Sequence, residues 1–128
     1  MKLRYTIFYV DDVQSSVAFY RQAFGLDVRR VHGAGDYVEL ETGATSLSFC
    51  SRKLMDELGK PTSSPAIGAP TFEIAFETDD VGGAFQRAVA NGAKTISAPE
   101  SMPWGQTVSY VADPDGYLVE ICSPVSPP

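Results

Sequence analysis

The sequence predicts an α+β fold made of two βαβββ modules in tandem, and two observations carry that prediction. The first is an internal repeat. Tyr5-Thr6-Ile7-Phe8-Tyr9-Val10-Asp11-Asp12-Val13, with an amphipathic run ending at Gly25, returns as Glu73-Ile74-Ala75-Phe76-Glu77-Thr78-Asp79-Asp80-Val81, with a run ending at Gly92. The second is that the copies end alike, Ser46-Leu47-Ser48-Phe49-Cys50 against Leu118-Val119-Glu120-Ile121-Cys122. A period of about 68 residues is too long for a solenoid unit, so each copy reads as a module in its own right. Among the differences between the copies, Tyr5 and Ser48 of the first give way to Glu73 and Glu120 of the second.

Residues 3 to 10 alternate, with Leu3, Tyr5, Ile7 and Tyr9 on one face and Arg4, Thr6, Phe8 and Val10 on the other, the period of a strand. Asp12 is placed to cap a helix whose stripe is Val13, Val17, Tyr20 and Phe24, and Gly25 stands where a left-handed residue ends it. Strands are expected at 27 to 32, 37 to 42 and 45 to 51, divided by Gly33-Ala34-Gly35-Asp36 and Gly43-Ala44. A short helical piece from Arg52 to Leu58 closes the first module, residues 1 to 59. Residues 60 to 70 hold three prolines and few helix or strand formers, and read as a linker.

The second module, 71 to 123, repeats the order. Its strand sets Glu73, Ala75 and Glu77 against Phe72, Ile74 and Phe76. Its helix, capped by Asp80, carries Val81, Phe85 and Ala88 inward and stops at Asn91-Gly92, with Gly82-Gly83 weakening the first turn. Strands follow at 94 to 97, 106 to 112 and 117 to 122, the last two joined by Asp113-Pro114-Asp115-Gly116. Residues 124 to 128 read as a loose tail.

Each helix covers one face of its sheet, so the prediction is a curved mixed sheet whose other face forms a concave small-molecule cavity. Its lining by alternation is Leu3, Tyr5, Ile7 and Tyr9; Ser46, Ser48 and Cys50; Glu73, Ala75 and Glu77; Leu118, Glu120 and Cys122.

At 128 residues, 44% apolar and 20% charged, the chain has the size and composition of one ordinary globular domain, 1 to 128. No apolar stretch approaches the roughly 20 residues of a membrane span, and no signal-peptide pattern opens the chain, so a cytoplasmic location is the expectation. A net charge of -6 argues against nucleic acid or anionic membrane as a partner and favours a neutral or cationic small molecule. Cys50 and Cys122, at equivalent ends of apolar strands, read as buried free thiols. Nucleophile-elbow, P-loop and dinucleotide motifs are absent from the sequence.

The candidate catalytic and ligand-binding groups are Glu73 and Glu120, mid-strand carboxylates among apolar neighbours. Facing each other, they would share a proton or supply a base next to a carbonyl. The other reading has Arg4, Arg29 or Arg30 neutralising them, or water solvating them. Glu77, toward the strand end, reads as solvated. Tyr5 and Tyr9 either orient a ligand or fill space. Trp104, in Met102-Pro103-Trp104-Gly105-Gln106, suits a wall over an apolar ligand or a subunit contact. His32, beside Gly33, reads as a surface residue.

The opening Tyr5 to Gly25, the Asp79-Asp80 restart, and Tyr110-Val111-Ala112-Asp113-Pro114-Asp115-Gly116-Tyr117-Leu118-Val119-Glu120-Ile121 resemble the vicinal oxygen chelate superfamily. That superfamily takes in glyoxalase I, bleomycin-resistance proteins and extradiol dioxygenases. The resemblance covers almost the entire chain and implies a homodimer with a small-molecule site. It also implies four metal-ligand positions, here Tyr5, Ser48, Glu73 and Glu120. In the glyoxalase I pattern these are two histidines and two glutamates, of which Glu120 alone matches. The expectation is therefore a cavity lined by Tyr5, Tyr9, Ser48, Glu73, Trp104 and Glu120 that binds a small organic molecule without a tightly held transition metal. The alternative is a lyase or isomerase in which Glu73 and Glu120 hold Mg²⁺ or Mn²⁺.

Overall fold

The computed structural model describes residues 1 to 125; the end of the expected loose tail, 126 to 128, lies outside them. The chain divides into two compact units between Ser64 and Pro65, inside the stretch read as a linker.

In the first unit, strand β1 (Tyr5–Val10) leads into helix α1 (Val13–Phe24), strands β2 (Val28–His32), β3 (Tyr37–Leu40) and β4 (Ser46–Ser51), and the short helix α2 (Arg52–Glu57). The sheet order is β1-β4-β3-β2, with β1 parallel to β4 and the other pairs antiparallel. Asp12 caps α1 by accepting the Ser15 N–H at 3.1 Å, and Gly25 ends it at φ 68°. Of the predicted stripe of α1, Val13, Val17 and Tyr20 are buried and Phe24 is half-buried, and the buried face is wider, since Phe19 and Ala23 are buried as well. Tyr20 sits 5.0 Å from Phe49 and 6.4 Å from Phe8, ring to ring, so an aromatic cluster joins the helix to β1 and β4.

The second unit repeats the plan with β5 (Ile74–Glu77), α3 (Val81–Ala90), β6 (Lys94–Ser101), β7 (Thr107–Ala112) and β8 (Leu118–Cys122), in the order β5-β8-β7-β6. Val111, Val119 and Ile121 are fully buried beneath α3, whose own Ala88 is fully buried and Phe85 half-buried. Asp80 caps α3 through the Gly83 N–H at 2.9 Å, and its carboxylate folds back over Gly83 so closely that a Cβ there would collide with it. Gly83 is thus part of the cap, whereas Gly82 faces open space. In the β7–β8 turn the buried Asp113 accepts the N–H groups of Asp115 at 3.0 Å and Tyr117 at 2.8 Å, and Gly116 supplies φ 99°.

Three expectations are corrected. The first strand starts at Tyr5, not at residue 3, because its ladder with β4 begins at the Tyr5–Ser46 pair; the Thr45 hydroxyl takes the Leu3 carbonyl instead, at 2.7 Å. The strand expected at 94 to 97 runs on to Ser101, since β6 is an edge strand whose pairing shifts register between Ser97 and Glu100 and so tolerates Pro99. Glu73 lies outside the strand expected to hold it, because the parallel ladder of β5 starts one residue later, at Ile74 opposite Val119.

Candidate functional site

The face of each sheet that its helix leaves uncovered carries the predicted residues. Cross-strand partners share a face, so register alone groups Tyr5, Ile7 and Tyr9 with Ser46, Ser48 and Cys50 in the first unit, and Ala75 with Glu120 in the second. Tyr5 and Ile7 are 45% and 38% exposed, in contrast to Phe8 and Val10, which point under the helix. Ala75, Glu73 and Glu77 are exposed in the second unit.

Glu73 and Glu120 do come together. The β7–β8 hairpin sets Tyr110 opposite Glu120, and the Tyr110 phenol donates to Glu120 Oε2 at 3.3 Å. Burial and the neighbouring Glu120 carboxyl push Glu73 above the usual carboxylate range, and the Tyr110 phenol opposes part of that rise. Burial and both carboxylates push Tyr110 up to about 12, so it stays a neutral donor at any ordinary pH. Glu73 and Glu120 therefore form a carboxylate pair with the Tyr110 phenol beside both.

The arginines considered as neutralising partners are engaged inside the first unit. Arg29 donates to Ser46 Oγ at 3.2 Å and lies 3.8 Å from Glu41, Arg4 donates to the Ala44 carbonyl at 3.2 Å, and Arg30 acts on Glu39. Glu77, at the end of β5, is exposed as expected. Trp104 is 58% exposed in the β6–β7 loop, where its indole N–H donates to Gln106 at 2.8 Å within that loop. Cys50 and Cys122 are buried free thiols, and burial raises both.

The sequence reading missed two residues. One is Tyr110, whose place could have been counted outward from the Asp113–Gly116 turn to Glu120. The other is Glu39, on β3 opposite Ser48, only 4% exposed and bound to His32 Nε2 at 2.6 Å. His32 lies at the surface as expected, with its ring also engaged by Glu39. Its ring is partly exposed and stands edge-on to Tyr37 at 5.1 Å. A cavity of about 320 Å³ also opens beside the β7–β8 turn, lined by Ile67, Lys94, Ile96 and Asp115; Glu73 and Glu120 do not line it.

The comparisons agree with the fold. The chain matches the family model of the glyoxalase/bleomycin resistance protein/dioxygenase superfamily over residues 2–121, and it belongs to that superfamily. It is 29% identical over 124 residues to the uncharacterised protein YraH of Bacillus subtilis, covering 94% of this chain and 97% of that one. It is 28% identical to lactoylglutathione lyase of Salmonella typhimurium, with 94% and 91% covered. A crystal structure of a glyoxalase/bleomycin resistance protein/dioxygenase family enzyme from Burkholderia phytofirmans superposes with a TM-score of 0.84 at 22% identity, over 98% of this chain and all of that one, a likeness of fold.

The superfamily's four-ligand metal site can be tested against these side chains. Tyr5 and Ser48 offer neutral hydroxyls, which bind Zn²⁺ or Ni²⁺ weakly, and Glu73 with Glu120 offers two carboxylates. Among the described residues no three His, Cys, Asp or Glu side chains converge as a metal-holding group. Taken unit by unit, neither the two hydroxyls of the first nor the two carboxylates of the second make a four-coordinate transition-metal donor set.

Proposed function

We propose that this protein binds a small cationic organic molecule on the open face of its second sheet, by a mode that does not need a tightly held transition metal. The observation that carries this reading is the Glu73–Glu120 pair with its Tyr110 bridge. Two carboxylates and a phenol on one face present negative charge beside an aromatic ring, the combination that recognises an organic cation. The arriving cation takes the place of the proton that Glu73 favours. Because Glu73 is held above the usual carboxylate range, binding releases a proton and tightens as pH rises through that raised value. Tyr110 stays neutral, so its role is to donate to Glu120 and offer its ring. Each carboxylate contributes about tenfold in affinity by this reading, the equivalent of roughly 1.4 kcal/mol for one charged contact.

The likeness to a lactoylglutathione lyase favours a second reading, a lyase or isomerase in which Glu73 and Glu120 hold Mg²⁺ or Mn²⁺ and one carboxylate moves a proton. Metal analysis separates the two. Tag-free protein is re-equilibrated with Mg²⁺, Mn²⁺, Ni²⁺ and Zn²⁺ beside a Glu73→Gln/Glu120→Gln double variant. The binding reading expects no stoichiometric metal in either protein. Stoichiometric metal in the parent that vanishes in the variant would replace it with the lyase reading.

A further inference from the structure

Asparagine occurs once in this chain, at Asn91, and the residue that follows it is Gly92. The turn that ends α3 accounts for the pair. Gly92 has φ 112°, a backbone conformation in which an L side chain is strained, so the position calls for glycine. Both residues are exposed, and nothing lies within 4 Å of where a Gly92 side chain would project. The requirement of the turn has thus placed a carboxamide beside a backbone nitrogen that no side chain shields.

An asparagine side chain closes a five-membered ring with the next backbone nitrogen when that nitrogen eclipses its Cβ. At ψ 8° the Gly92 nitrogen instead eclipses the backbone nitrogen of Asn91, and Cβ stands a third of a turn away around Cα. Three hydrogen bonds hold this arrangement. Asn91 Nδ2 donates to the Arg87 carbonyl at 2.8 Å, the Asn91 N–H to the same carbonyl at 3.2 Å, and the Gly92 N–H to the Val89 carbonyl at 3.1 Å. The hold is local, because Val89 and Ala90 are exposed and the buried residues are Ala88 before the turn and Ala93 after it. The Ala93 N–H donates to the Ala88 carbonyl at 3.0 Å, so the turn between them is closed off at its base and can open without the core.

We propose that Asn91 is a self-modification site, at which opening of the last turn of α3 lets water convert the side-chain amide to a carboxylate. In the step, hydroxide takes the Gly92 amide proton and the nitrogen attacks Asn91 Cγ. The new N–C bond closes a succinimide, the Cγ–Nδ2 bond breaks, and ammonia leaves with a proton returned by water. A second water opens the ring at either carbonyl, giving aspartate or isoaspartate. Water is the only net co-reactant, and no electron is transferred. Either product loses the Nδ2 donor to Arg87 and sets a negative charge at the negative end of the α3 dipole. Isoaspartate also lengthens the backbone by one carbon, so the Gly92 and Ala93 bonds back to α3 lose their register.

The test holds full-length protein folded in mildly alkaline buffer beside a matched sample unfolded in guanidinium chloride. The tryptic peptide 88 to 94 is followed by mass spectrometry for the gain from amide to acid, and isoaspartate is read with an isoaspartyl methyltransferase. The expected result is modification at residue 91 in both samples, slower in the folded one by a factor of about ten to a thousand, the protection of a helix end that opens by itself. Equal rates would overturn the hold by the turn. A factor beyond roughly a thousand, the protection of whole-unit unfolding, would overturn its local opening. Asn91→Gln, whose longer side chain closes its ring far more slowly, should stay unmodified in either sample; modification there would refute the succinimide route. Asn91→Asp, one of the two products, should be folded by circular dichroism yet melt below the parent at neutral pH, with the gap closing in acid. A variant that melts with the parent or above it would overturn the proposed effect on α3.

Discussion

Glu73→Gln should make this protein more stable at neutral pH, although it removes a charge from an acidic site. Glu73 is pushed up by burial and by Glu120, so its protonated form is favoured in the folded state. A carboxyl with a raised folded value contributes stability that is fully present below the ordinary carboxylate value and is lost as pH rises through the raised one. The parent therefore carries an unfavourable carboxylate pair at pH 7.5, and the glutamine variant does not. Glu73 is exposed, which limits the gain to the range of screened surface pairs, about 0.5 to 1 kcal/mol. For a chain of this length that corresponds to about 2 to 4 °C in Tm. Thermal denaturation followed by circular dichroism at pH 4 and pH 7.5 should show parent and variant together at the lower pH and the variant ahead at the higher. The gap should shrink in about 1 M salt, where the Debye length falls to roughly 3 Å. A variant that melts below the parent at pH 7.5 would refute the reasoning, since it would mean that a cation already satisfies Glu73.

The two glycines of α3 should part company: Gly82→Ala faces open space and should stabilise by about 0.5 to 1 kcal/mol, while Gly83→Ala must displace the Asp80 cap and should lose about as much. Urea denaturation of both variants checks this. Asp113→Ala leaves the Asp115 and Tyr117 N–H groups without their acceptor and should cost about 2 to 3 kcal/mol, read from the same denaturation curves. Cys50 and Cys122, both buried with raised thiols, should react with a thiol reagent only after unfolding, and a fast native reaction at either would contradict their placement.

Much of the fold was legible because the repeat is written in identities: the Asp-Asp-Val restarts, the helix stripes and the matching last strands need no tertiary information. Strand ends were not, since the partner decides them. Glu73 alternates as a strand residue but lies beyond the β5–β8 ladder, and Pro99 marks a stop in sequence yet sits in an edge strand that absorbs it. The meeting of Glu73 with Glu120 could be read from the repeat alone. The Tyr110 bridge required counting back across the hairpin. Glu39 was hidden more deeply, because Tyr37-Val38-Glu39-Leu40-Glu41 alternates like any half-solvated strand. Only its register against Ser48 shows that it is buried. The bulge between Val28 and Arg30 then shifts β2 so that His32 shares its face.

Isothermal titration calorimetry of benzyltrimethylammonium into chelator-treated protein near pH 6, in two buffers of different ionisation enthalpy, tests the central claim most directly. The account predicts saturable binding without added metal, a buffer-dependent heat that reports proton release, and loss of both in the Glu73→Gln/Glu120→Gln variant. Binding that appears only after Mg²⁺ or Mn²⁺ is restored, or that the double variant retains unchanged, would contradict it.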